Sequence, residues 1–358
     1  MLHLPRPLWT WIAPVVAWAA ITVASLGGVF NLVVAAALVG SVLAAVHHAE
    51  VVAHRIGEPY GTLVLAVAVT VIEVALIVSL MLAGGEAETA LARDTVFAAI
   101  MIILNGLVGL CLLMGAFRHR EQRFGQAGVS ASLATIAALA ILTLVLPNYT
   151  TSVPGPTYSN GQLAFVSLVS LVLYGVFVLV QTVRHRDYFL PKGQVAGDEA
   201  IHAPPPSNIA AFASLGLLLA ALGAVVLLAK ALAPAMKAVV KDAGAPEATV
   251  GVMIAALVLL PESLAAVRAA QANRLQTSLN LGLGSALASI GLTIPTVAVV
   301  SLVMGWPLTL GLDSKATVLL FLTLMVSTLS LGAGRTTILQ GVVHLVIFAV
   351  YLFTTVVP

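Results

Sequence analysis

The chain has 358 residues, of which 60% are hydrophobic and only 8% charged, and its mean hydropathy is +1.09. A water-soluble fold carries roughly 25% charged residues, so the composition excludes one and defines an integral membrane protein. A formal net charge of +2 is too small to point to nucleic acid. The single cysteine, Cys111, rules out an intramolecular disulfide.

The N-terminal stretch MLHLPRPLWTW holds one arginine and leads into apolar sequence without a small-residue cleavage site, which reads as a retained first span. Stretches of about 20 apolar residues predict helical spans. They fall near 9–27, 29–46, 60–83, 95–117, 128–147, 161–183, 209–233, 249–267, 278–303, 316–333 and 337–357. The expected fold is therefore all-α, with about 11 transmembrane helices. The breaks carry turn chemistry: Gly27-Gly28, the polar GGEAETALARD, the basic RHREQRFGQAG and the Pro/Gly/Asn-rich LPNYTTSVPGPTYSNG. The first break is the weakest, since one long or re-entrant segment would also satisfy it.

Basic residues set the orientation. With the N-terminus cytoplasmic, Arg6, Arg55, Arg118, Arg120, Arg123, Arg184, Arg186, Lys192, Arg268, Arg274 and Arg335 lie inside, against Arg93, Lys230, Lys237, Lys241 and Lys315 outside. The balance predicts a cytoplasmic N-terminus and an external C-terminus. The polar, Pro-rich RHRDYFLPKGQVAGDEAIHAPPPSN is then a cytoplasmic linker between two halves. The organisation expected is an N-terminal helix at 1–28, a first five-helix repeat at 29–184, a linker at 185–208 and a second five-helix repeat at 209–358.

Glu58 and Glu73 are 15 residues apart, and so are Glu247 and Glu262, so the two halves are in register at an offset of 189. Five spans per unit is an odd number, which inverts the second unit relative to the first. Inverted repeats are a design of secondary transporters, with the site near the membrane midplane. A carboxylate at the centre of a span costs about 2.5 to 3.5 kcal/mol and persists where a cavity, partner or cation compensates it. Glu73 and Glu262 are therefore the candidate cation- and proton-binding residues, and the candidate metal ligands. Paired carboxylates suit a hard divalent ion such as Ca²⁺. When the ion leaves, their mutual repulsion favours protonation, so exchange of a cation for protons follows from the pair.

Further oxygens stand close in sequence. Thr70 is one turn before Glu73. Pro261 cannot donate a backbone hydrogen bond, which frees a carbonyl near Leu257. Asn105 follows the first glutamate span, and Asn280, Ser285 and Ser289 follow the second. For Asn105 and the serines, interhelical bonding between small-residue surfaces is an equal reading. Glu58 and Glu247 sit at the rim, where gating or proton entry competes with plain solvated charge. His47, His48 and His54 in VHHAEVVAHRIGE read as an amphipathic surface segment, with pH sensing as the second reading. No HExxH, GxSxG or Asp-Asp arrangement lies within the spans, so no enzyme is expected.

The stretches HHAEVVAHRIGEPYGTLVLAVAVTVIEVALIVSLML and LLPESLAAVRAAQANRLQTSLNLGLGSALASIGLTIP resemble the two α-repeats of bacterial ChaA-type Ca²⁺/H⁺ antiporters of the Ca²⁺:cation antiporter superfamily. The resemblance implies an eleven-span fold in a bacterial inner membrane and a cation shared by Glu73 and Glu262. It also places Asn105 near an amide position and Ser285 to Ser289 near a Gly-Ser position. Vacuolar relatives carry a GNxxE-like motif where this chain reads VTVIE and VLLPE. The implied function is alternating-access exchange of Ca²⁺ for H⁺ with no resident cofactor. The implied partners are inorganic cations, protons and the lipid bilayer. A Na⁺/H⁺ or K⁺/H⁺ antiporter would use the same carboxylates, and a passive cation channel is the alternative of another class.

Overall fold

The computed structural model describes residues 8–57, 60–190 and 206–357. Hydrocarbon offers backbone groups no water, so a spanning chain must satisfy them within its own helices. The elements are α1 (Leu8–Val23), α2 (Phe30–Ile56), α3 (Tyr60–Gly84), α4 (Leu91–Met101), α5 (Val108–His119), α6 (Gln126–Ala140), α7 (Asn160–Leu179), α8 (Asn208–Asp242), α9 (Ala248–Gln271), α10 (Leu275–Ala288), α11 (Ile294–Met304), α12 (Ser314–Leu331) and α13 (Ile338–Val356). Single π-turns, Ile102–Leu107 and Ser289–Thr293, join α4 to α5 and α10 to α11 without breaking either span. Two more π-turns, Ile141–Val145 and Val180–Arg184, extend α6 and α7. Eleven helical segments result, matching the expected spans in number and order.

The first break is real. Gly27 and Gly28 adopt φ of 62° and 56°, a left-handed region that side-chain-bearing residues rarely enter, so α1 and α2 are separate helices. Other ends are set by caps. The Ser159 side chain accepts from the Gln162 backbone in a capping box, and Asp313 Oδ1 accepts from Ala316 N at 2.7 Å. A short antiparallel pair, β1 (Gln122–Arg123) with β2 (Arg335–Thr336), ties together the ends of α5 and α12.

One expectation fails here. VHHAEVVAH is not a surface segment: α2 runs on to Ile56, and His48 is buried. Its Nε2 lies 3.0 Å from the Thr10 carbonyl on α1, and its Nδ1 lies 3.3 Å from Ser214 Oγ on α8. Helical periodicity turns His48 inward while leaving Glu50 and His54 exposed, so the run is amphipathic with His48 on its buried face. α8 also overruns its expected end, passing Pro234 and continuing to Asp242.

The helices pack as two units, each drawing on both halves of the sequence. One contains α1, α2, α3 and α8; the other contains α4 to α7 and α9 to α13. In the first, α2 lies against α1, α3 and α8, and the Trp18 indole donates to the Ala220 carbonyl. In the second, glycines permit close backbone approach. A Cβ added at Gly341 on α13 would lie 2.7 Å from Leu113 N and 3.0 Å from Gly109 O, both on α5. Helix pairs in lipid associate through such small-residue contacts because no hydrophobic force drives them together.

Gly341→Val is expected to force α13 from α5 and destabilise the fold by roughly 1–3 kcal/mol, as overpacking does. Thermal unfolding in detergent measures it. Gly216→Val, where an added Cβ meets no atom within 4 Å, serves as the neutral control.

Candidate functional site

Glu73 lies 13 residues into α3, roughly 20 Å along the helix axis, and Glu262 lies 14 residues into α9, roughly 21 Å along its own. Each therefore sits deep in a span, as the repeat predicts. Glu73 is 3% exposed and Thr70 is 4% exposed. Spaced by three residues, they share the inner face of α3 with Val69, Ile72, Leu76 and Ile77. That helix packs on α2 and α8.

In the second unit, Glu262 is half-buried and follows Pro261 inside α9. The proline has no N–H to give the Leu257 carbonyl, so this stretch of α9 offers an oxygen that a regular helix would consume. α9 packs against α4, α5 and α10, so helices of both π-turned spans lie beside it, and it also touches the first π-turn itself. Ser289 opens the second π-turn and is buried, and Ser285 one turn earlier is half-buried. π-turns of a single turn occur frequently at functional sites because they shift the helix register and release backbone groups. Both lie here in the spans that follow the two glutamate helices.

Asn105 occupies the first π-turn and is fully buried. Its amide is engaged at both ends. Nδ2 donates to Thr323 Oγ1 on α12 at 2.8 Å, and Oδ1 lies 3.3 Å from Nδ1 of His344 on α13. Of the two readings open for this residue, interhelical bonding is the one these contacts display. Asn280 is engaged too: it accepts from Gln276 Nε2 at 2.9 Å and donates to the Phe189 carbonyl at 2.6 Å, while Gln276 Oε1 takes the Gly125 N–H. Glu247 precedes the first residue of α9 and is exposed, and Glu58 falls outside the described residues. Among the described residues, no group of three or more His, Cys, Asp or Glu side chains is placed to hold a metal ion.

Three polar residues of this region escaped the reading of the sequence: Thr323, Ser330 and His344. A usable signal existed. His344 is the only titratable side chain other than Tyr351 in α13, and Thr323, Ser327 and Ser330 recur at helical spacing on one face of α12.

Comparison with known proteins agrees with this architecture. The sequence profile described as "Sodium/calcium exchanger protein" matches residues 26–183 and 213–357. A "Putative ionic transporter y4hA" of Sinorhizobium fredii (strain NBRC 101917 / NGR234) is 52% identical over 98% of this chain and 97% of its own. The "Sodium-potassium/proton antiporter ChaA" of Escherichia coli (strain K12) is 36% identical over 90% and 88%. Among solved structures, native YfkE superposes with a TM-score of 0.74 at 15% identity, covering 98% of this chain and 100% of its own. The H⁺/Ca²⁺ exchanger CAX superposes with a TM-score of 0.72 at 14% identity, covering 96% and 87%. At such identities the structures speak for the fold alone, whereas the profile spans both halves of the sequence. The chain belongs to the sodium/calcium exchanger protein family of cation transporters.

Proposed function

We propose that this chain is a secondary active transporter that exchanges a cation for protons by alternating access, with Glu73 and Glu262 carrying either the cation or the protons. The observation that carries this reading is positional. Two carboxylates stand at matching depth in corresponding helices of the two halves, one 3% exposed and the other half-buried. Such groups are costly in a membrane and are retained where they bind.

The charge arithmetic suits exchange. One divalent cation or two protons neutralise two carboxylates, so each substrate makes the protein fit to move through hydrocarbon without the other. A state with neither leaves two ionised carboxylates within the spans, which opposes the empty return and couples the two fluxes. Thr70, Ser285 and Ser289 supply neutral oxygens of the kind Ca²⁺ takes, six to eight in all with carbonyls and water. Ca²⁺ is the cation this donor set fits best. It is also the ion named for the solved H⁺/Ca²⁺ exchanger of similar fold. Exchange of Na⁺ or K⁺ for H⁺ is the second reading, favoured by the 36% identical Escherichia coli relative described as a sodium-potassium/proton antiporter. In either case the protein sits in the bacterial inner membrane with its N-terminus cytoplasmic, following the distribution of Lys and Arg. Glu247, exposed at the head of α9, is the candidate for gating or proton entry in the second half, and Glu58 is the candidate in the first by its sequence offset.

The test is ⁴⁵Ca²⁺ uptake into everted vesicles under an imposed pH gradient, with Na⁺ and K⁺ as competitors. Uphill Ca²⁺ uptake is expected, abolished to the level of empty vesicles by Glu73→Gln or Glu262→Gln with membrane insertion intact. Exchange that survives either substitution overturns the assignment. Proton movement driven by Na⁺ or K⁺ but not Ca²⁺ selects the second reading, and cation flux that never runs uphill makes the protein a channel.

Pro261→Ala restores an N–H to α9 next to Glu262. It is expected to stabilise the protein by about 1–3 kcal/mol in detergent melts. Exchange should slow, because the Leu257 carbonyl is then drawn back into the helix.

A further inference from the structure

Five side chains that the proposed exchange does not use form a continuous hydrogen-bonded chain inside the second unit. Ser330 Oγ lies 2.7 Å from His344 Nε2, and His344 Nδ1 lies 3.3 Å from Asn105 Oδ1. Asn105 Nδ2 donates to Thr323 Oγ1 at 2.8 Å, and Thr323 Oγ1 donates onward to Met101 Sδ at 3.4 Å. His344 and Asn105 are fully buried.

Donor and acceptor capacities orient this chain. Asn105 spends an N–H on Thr323, so the amide oxygen faces His344 and can only accept; His344 Nδ1 must therefore carry a proton. Ser330 Oγ–H has a choice between Nε2 at 2.7 Å and the Ser327 carbonyl at 3.4 Å. An imidazolium buried in hydrocarbon would be costly, so Nε2 is taken as the acceptor of the Ser330 O–H, which describes a neutral imidazole in the Nδ1–H tautomer. Each hydrogen bond then runs one way, from Ser330 through His344 and Asn105 to Thr323 and Met101.

The turn that holds Asn105 is irregular in its backbone. Val108 N–H bonds the carbonyls of Asn105 and Ile103, skipping the Leu104 carbonyl that a regular α-helix would assign to it. His344 reaches Asn105 across a close approach of α13: a Cβ on Gly109 would lie 2.9 Å from His344 Cβ. One side chain of α13 thus holds the side chain at the centre of the irregular turn that touches α9.

We propose that His344, held as the neutral Nδ1–H tautomer between Asn105 and Ser330, is a positioning residue for exchange that clamps the 102–107 π-turn against α9 and so sets the environment of Glu262. The proposal rests on the reading of Glu262 as an exchange carboxylate. His344 itself touches neither cation nor transported proton.

The experiment has a spectroscopic and a kinetic arm, both on the full chain. ¹⁵N-histidine NMR in lipid nanodiscs, assigned by difference against His344→Gln, is expected to show a neutral Nδ1–H imidazole at position 344. An imidazolium or the Nε2–H tautomer overturns the proposal. In proteoliposomes, with rates referred to folded protein, His344→Leu is expected to raise the apparent KM for the transported cation about tenfold, which corresponds to one lost interaction of about 1.4 kcal/mol. His344→Gln keeps a donor and is expected to rescue most of that loss. An unchanged KM in His344→Leu, with only the amount of folded protein reduced, assigns the residue to scaffold and overturns the proposal. Should His344→Leu fail to fold, Ser330→Ala leaves the imidazole in place and removes the hydroxyl at Nε2; the Nε2 resonance is expected to shift and KM to rise, and an unshifted resonance with wild-type KM overturns the proposal. Active Glu262→Gln would fail the exchange reading instead, and the NMR arm would still report the tautomer separately.

Discussion

Inside hydrocarbon a polar group finds no water, and leaving one unsatisfied costs several kcal/mol. That constraint shapes each unusual feature of this protein. It makes the described spans helical, and it puts the departures from regular helix inside them under constraint. Pro261 removes a donor within α9, the π-turn at 102–107 redirects one, and buried side chains of α12 and α13 bond the amide that this turn presents. His48 shows the same logic in the first unit, where one imidazole links a backbone carbonyl of α1 to a hydroxyl of α8.

Close packing is the second requirement, and it is linked to the first. Short polar contacts between helices demand that their backbones approach, and only glycine lets them do so at the tightest crossings. Gly109 and Gly341 bring α5 and α13 together at the level where His344 reaches Asn105. Gly251 does the equivalent at the head of α9, where an added Cβ would lie 2.9 Å from the Asp94 backbone. A polar bond of about 0.6 kcal/mol, the average measured between membrane helices, would not hold such a crossing alone. The polar chain and the glycine contacts work jointly, the one fixing register and the other supplying van der Waals contact.

How much of this was legible in the sequence follows from the range of the interactions. Spans were legible because length and hydropathy are local, and the Gly27-Gly28 break because its turn needs only those two residues. The glutamate repeat was legible because a constant offset survives without knowledge of the fold. The end of α2 was not: α8 and α1 supply the partners that bury His48, and they stand 166 and 38 residues away. The role of Asn105 was ambiguous for the same reason, since His344 is 239 residues distant and Thr323 is 218. No spacing rule connects residues that far apart, and the π-turn that presents Asn105 has no composition of its own.

The engagement of Asn105 bears on how a cation would be held. An amide oxygen already accepting from an imidazole would have to give up that bond to turn to an ion, leaving the imidazole N–H bare at a cost of about 1–3 kcal/mol. A carbonyl beside a helix proline carries no such cost, because Pro261 has already removed its donor. On the proposed reading, the neutral ligands of the second half therefore come from α9 and from the serines that open the π-turn at 289, while the turn at 102 serves as a fixed wall. The two π-turns would then differ in function despite their equivalent place in the repeat: one is clamped by a histidine, and the other, at Ser289–Thr293, packs against α7 with Gly291 under the Tyr174 ring.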